Sequence, residues 1–104
     1  MTQSGRLTGR ARERLMDLSR QEMRISERAR ELGKNQPDAD DREGQAAFRR
    51  QLVALTEERL PILEEMAEIA PDAVTITRNA AGWVMSTRVS NERIYEYTGE
   101  WPQI

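Results

Sequence analysis

Apolar side chains recur at alternating spacings of four and three residues through two long stretches of the chain, and the period shortens to two in the last third. In the first stretch Ala11, Leu15, Leu18, Glu22, Ile25, Ala29 and Leu32 share one row. In the second the row is Phe48, Leu52, Leu55, Arg59, Ile62, Met66 and Ile69. Each is a heptad-like stripe on one side of an α-helix. The spacing predicts helices over 5–33 and 44–70. Gly33 suits the cap of the first, and Pro71-Asp72 stops the second. Between them, residues 34–43 form a polar connector that holds Pro37 and the acids Asp38, Asp40 and Asp41. Asp40-x-x-Glu43 reads as a capping box. Pro61 removes one backbone donor from the second helix and predicts a kink near Glu57 to Leu60, or a break with a restart at Pro61.

A short connector favours antiparallel neighbours, so the two rows are expected to face each other. Each carries one charge in its middle, Glu22 in the first and Arg59 in the second. Whether Ile25 is aligned with Leu52 or with Arg59, the two charges fall in neighbouring layers. An ion pair between Glu22 and Arg59 inside the seam is expected. The flanking charges agree: Arg6, Arg10, Arg12 and Arg14 open the first helix, while Glu64, Glu65, Glu68 and Asp72 close the second. Antiparallel packing brings these groups to one end.

The second helix has a further apolar row, Val53, Leu60, Leu63 and Ala67, and the first adds Met16 and Met23 beside its stripe. One partner helix cannot cover so wide a face. The β segment or a second copy must cover the remainder. In the last third Val74 and Ile76 alternate with Thr75 and Thr77, Asn79-Ala80-Ala81-Gly82 reads as a turn, and Trp83, Met85 and Val89 alternate with Val84, Ser86 and Arg88. After Ser90-Asn91, a second turn, Arg93, Tyr95 and Tyr97 alternate with Ile94, Glu96 and Thr98. The expected fold is α+β: an antiparallel helical hairpin, then a three-stranded antiparallel meander over 73–98, in one domain. Residues 99–104 form a tail whose Trp101-Pro102 can dock on an apolar surface.

Composition narrows the chemistry. The chain of 104 residues has a net charge of −2, no cysteine and no histidine. Disulfide and thiolate chemistry are excluded, and so is the commonest general base near neutral pH. The charge gives no overall nucleic-acid footprint, though local patches remain open. No apolar run approaches the ~20 residues that span a bilayer, and Met1 to Arg6 contain no apolar core of a secretory signal. A cytoplasmic location is expected, with no membrane partner. Fifteen of the sixteen basic residues are Arg, Lys34 being the exception.

The loop Asp38 to Gly44 departs from a calcium-binding pattern, because Arg42 stands at the third ligand position and Arg49 where the bidentate Glu belongs. The pairs Glu57-Glu58 and Glu64-Glu65 read as a solvated helix face. Ser4, Ser19 and Ser86 have no histidine to activate them. No enzyme activity, cofactor or metal is expected. Helix 1 interleaves Arg with five acids, which leaves no clean phosphate-binding face. Its Arg6, Arg10, Arg12 and Arg14 are the candidate nucleic-acid contacts. Trp83, Tyr95 and Tyr97, beside Arg78, Arg88 and Arg93, serve best as core, next as protein interface, last as a base-stacking surface.

These readings favour a non-catalytic protein-interaction module. It would self-associate as a homodimer and bind, occlude or scaffold a second protein, as regulators and inhibitors of phages and mobile elements do. The candidate interface is Val53, Leu60, Leu63, Met16, Met23, Trp83, Tyr95, Tyr97 and Trp101. A nucleic-acid-binding regulator and a structural subunit of a larger assembly such as a phage particle are the alternatives.

Overall fold

The computed structural model describes residues 6–104. Gly5, the expected helix start, and Ser4 lie outside that range; residues 6–8, expected in the first helix, precede it, and Thr8 is its N-cap. Five elements follow in order: α1 (Gly9–Lys34), α2 (Arg42–Ile69), β1 (Val74–Arg78), β2 (Val84–Val89) and α3 (Asn91–Thr98). The architecture is α+β, with two helices followed by a two-stranded antiparallel sheet and a short third helix.

The stripes read from the sequence are the faces that α1 and α2 bury. On α1, Leu15, Leu18, Glu22 and Ile25 are buried; on α2, Phe48 and Met66 are. The cross-helix ion pairs give the direction. Arg14, Glu22 and Arg28 of α1 meet Glu65, Arg59 and Glu58 of α2 in that order, so one helix ascends as the other descends. Helix α1 runs through Gly33 to Lys34, and Asn35 is its C-cap. Gly33 does not take the left-handed conformation that would stop a helix. The N-cap of α2 is Asp41, one residue after the expected Asp40. Its carboxylate accepts from the Gly44 N–H at 2.9 Å. Helix α2 continues through Pro61 without a break, so there is no restart there.

The turn at Asn79 forms as read. Asn79 Oδ1 accepts from the backbone N–H of Ala81 (2.9 Å) and of Trp83 (3.0 Å), and Gly82 supplies φ +87°. In the ladder Thr77 pairs with Ser86 but Arg78 pairs with Val84, so Met85 is an extra residue in β2. This bulge breaks the expected alternation and leaves both Trp83 and Met85 exposed.

The third strand of the expected meander is a helix. Ser90 caps it by accepting from the Arg93 N–H, Glu92 lies in its first turn, and Gly99 ends it at φ +80°. Ile94, Tyr97 and Thr98 fall at helical spacing, and that face turns inward: Ile94 and Thr98 are buried and Tyr97 is half-buried. Helix α3 packs on α1, and β1 packs on α2. The main core gathers at this end from Leu15, Leu18, Leu63, Met66, Ala70, Ala73, Val74 and Ile94.

Candidate interaction surface

Glu22 and Arg59 meet inside the seam. Glu22 Oε2 accepts from Arg59 Nε at 2.9 Å and lies 2.8 Å from Arg59 Nη2, and the Ser26 hydroxyl donates to the same oxygen at 2.6 Å. The Glu22 side chain is 8% exposed and that of Arg59 29%. Arg59 also donates through Nη1 to the Thr87 hydroxyl of β2, 3.1 Å away. One guanidinium therefore ties α1, α2 and the sheet together. Its position follows from the sequence: the carboxylate in the middle of the α1 stripe is buried, and the Arg in the middle of the α2 stripe is the charge placed to meet it.

The Arg residues that open α1 are mostly engaged within the chain. Arg14 forms a two-pronged pair with Glu65, with N–O distances of 2.6 and 2.7 Å. This hydrogen bonding holds the Glu65 carboxyl below its ordinary value and the Arg14 guanidinium above its own. Arg12 donates to the Thr98 carbonyl at 2.7 Å and pairs with Glu100 at 2.9 Å, which satisfies the C-terminal end of α3. The Arg6 guanidinium lies against Gly99. Arg10 is exposed. Two of the four candidate phosphate contacts are thus committed to carboxylates.

The expected interface residues separate into three groups. Leu63 and Met16 are buried at 1% and 4% exposure inside the chain's own fold, so they are not left for a partner. Leu63 lies in the core with Val74 of β1, which fills part of the second row of α2. Leu60, Met23 and Tyr97 are half-buried, and Tyr97 packs against the core from α3. Val53, Trp83, Tyr95 and Trp101 are exposed. Tyr95 and Trp101 face each other with ring centroids 6.3 Å apart. In the tail it is Pro102 that docks, fully buried, while Trp101 stays half-exposed.

Two exposed apolar residues escape a reading of the sequence. Alternation places Met85 with the core, and only the bulge moves it outward. Ile104 reaches a shallow depression on α1 lined by Arg24, Glu27, Arg28, Glu31 and Leu32. No sequence signal marks the tail as extending so far along this helix.

Met85 has a specific setting. With Val84, Ser86 and Thr87 of β2 it forms one wall of a groove whose other wall is Thr56, Arg59, Leu60 and Leu63 of α2. Val53 lies one helical turn from Thr56 on α2, 55% exposed. Toward the hairpin tip, a second open depression is lined by Gln36, Ala39, Arg42, Gln45, Phe48 and Arg49. The Ser19 hydroxyl is buried without a hydrogen-bond partner among the described residues. The α2–β2 groove mixes apolar contact from Leu60, Leu63, Val84 and Met85 with the polar groups of Thr56, Arg59, Ser86 and Thr87. No helix among the described residues is long and apolar enough to cross a membrane. Comparison with protein-family models, with curated proteins and with solved structures gives no match to this chain.

Proposed function

We propose that this protein acts by binding, as a non-catalytic interaction module that self-associates and occludes or scaffolds a second protein. The observation that carries the reading is the α2–β2 surface. Met85, 64% exposed, lines the groove beside the half-buried Leu60; Val53, 55% exposed, lies one helical turn from Thr56 of its α2 wall, and Trp83, 72% exposed, directly precedes Val84 of its β2 wall. Apolar side chains gathered at a groove mark interaction surfaces more often than scattered ones do. Trp and Met are also enriched at the centres of protein interfaces.

Sedimentation equilibrium over a wide concentration range tests this reading. A mass rising from one chain toward two is expected, with Val53→Asp and Met85→Asp both shifting the transition to higher concentration. A single-chain mass up to ~1 mM, a concentration at which even a weak complex forms, would refute self-association.

A further inference from the structure

Helix α2 has an unusual distribution of charge about Val53. Its first half carries Arg42, Arg49 and Arg50 with one acid, Glu43, and its second half carries Glu57, Glu58, Glu64, Glu65 and Glu68 with one base, Arg59, which pairs with Glu22. Glu58, Glu64 and Glu65 have partners within the chain: Arg28, Arg78 and Arg14. Arg42, Arg49, Arg50 and Glu57 form no ion pair among the described residues. All four are exposed. They lie on the same side of α2 as Val53, because offsets of three, four, seven and eleven return to one face of a helix.

We infer that the partner on this face is a second copy of the chain, with the two α2 helices packed antiparallel about a twofold axis at Val53. This rests on the self-association proposed above and specifies its geometry. A residue a given number of places before Val53 then opposes the residue as many places after it in the other copy. Arg49 meets Glu57, neither of them ion-paired among the described residues; Arg42 comes beside Glu64, which Arg78 of its own chain already engages through Oε2; and Ala46 meets Leu60, a small side chain against a large one. Val53 meets itself. Each contact occurs twice, as an isologous interface requires. The parallel alternative sets Arg49 beside Arg49 and Glu57 beside Glu57. Antiparallel packing also opposes the two helix dipoles favourably.

Size adds one more element. The stretch from Arg42 to Glu64 spans ~34 Å, and a helix is ~10 Å wide, so the α2 face alone offers ~340 Å² per copy. A stable interface buries ~800 Å² per partner. The sheet supplies part of the difference. Met85, beside Leu60, is carried toward Ala46 of the other copy, where Gln45, Phe48 and Arg49 line an open depression.

The native chain has no cysteine, which makes cross-linking a clean test in the full-length protein. Val53→Cys is expected to form a disulfide-linked dimer on mild oxidation, whereas Gln51→Cys, on another face of α2, stays reduced. Arg49→Glu and Glu57→Arg are each expected to raise the dimer dissociation constant about tenfold or more, and the double variant to return it close to wild type. Within one chain these two residues are over two turns apart, so the rescue reports the contact between copies. Overturning this geometry while self-association stands takes a dimeric wild type together with either of two results: Gln51→Cys links as readily as Val53→Cys, or charge reversal has no effect. A wild-type monomer at ~1 mM overturns both.

Discussion

Removing the Arg59 guanidinium tests the seam where it is most constrained. In Arg59→Ala the Glu22 carboxylate, 8% exposed, keeps only the Ser26 hydroxyl as a partner. Breaking a fully buried pair costs ~3–5 kcal/mol, and an exposed one ~1 kcal/mol or less. Arg59 is 29% exposed, so solvent screens part of the interaction, and a loss of about 2–3 kcal/mol is expected. The Arg59–Thr87 hydrogen bond accounts for up to ~1 kcal/mol of it, which Thr87→Val measures separately. Glu22→Ala is expected to cost less, because Arg59 can turn toward water. The double variant Glu22→Leu/Arg59→Leu leaves no buried charge and adds apolar contact, so it should fall within ~1 kcal/mol of wild type or exceed it. Urea denaturation at neutral pH and one fixed protein concentration measures wild type, these variants and the double Glu22→Ala/Arg59→Ala, which closes the cycle with the two alanine singles. A coupling energy below ~0.5 kcal/mol, the range of independent sites, would show that the two side chains do not act as a pair.

Three further outcomes follow from the same structure. Glu65 has its carboxyl lowered by Arg14, so the unfolded chain binds its proton at higher pH than the native one does. The contribution is present above the ordinary Glu value near ~4.3 and disappears as pH falls through the lower native value. Glu65→Gln should therefore flatten the stability–pH curve below that point, and an unchanged acid limb would count against the pairing. Ile94→Ala, at a site with 0% exposure in the core between α3 and α1, should cost ~2–5 kcal/mol by thermal or urea unfolding; a loss under ~0.5 kcal/mol, typical of surface sites, would mean that α3 is not seated. Gly99→Ala must hold a side chain at φ +80° against the Arg6 guanidinium, so it should lower stability by ~1 kcal/mol, and a neutral result would indicate a different end to α3.

The long-period elements are legible because their signals repeat. Each seven-residue stripe offers several chances to read the same face, and α1 and α2 lie where the stripes place them. The charges Glu22 and Arg59 stand out as exceptions within those stripes. Short elements give no such redundancy. Residues 93–98 put Arg93, Tyr95 and Tyr97 on one side of a two-residue period and Ile94, Glu96 and Thr98 on the other, and with two Tyr and an Ile they fit a strand as well as a helix. What decides the outcome is the Ser90 cap and Gly99 at the far end, both present in the sequence and outweighed there by the aromatic content. The bulge at Met85 has no sequence signal, and the outward turn of the side chain follows from it. Leu63 reads as spare because the sheet's place on α2 depends on tertiary packing, which no single stretch of sequence encodes.

The closing contacts of the fold join the two extremities of the described chain. Leu7 donates its N–H to the Tyr97 carbonyl at 2.6 Å, and Arg12 reaches Thr98 and Glu100 across more than eighty residues. Such a clasp bears the entropy of closing the whole intervening loop, so it belongs to the end of folding. The helix pair and the hairpin turn can assemble before this clasp forms, whereas Leu7 and Arg12 are fastened only once residues 97–100 are in place. Until residues 97–100 are placed, the segment around Leu7 lacks this anchor and is the more open to proteolysis.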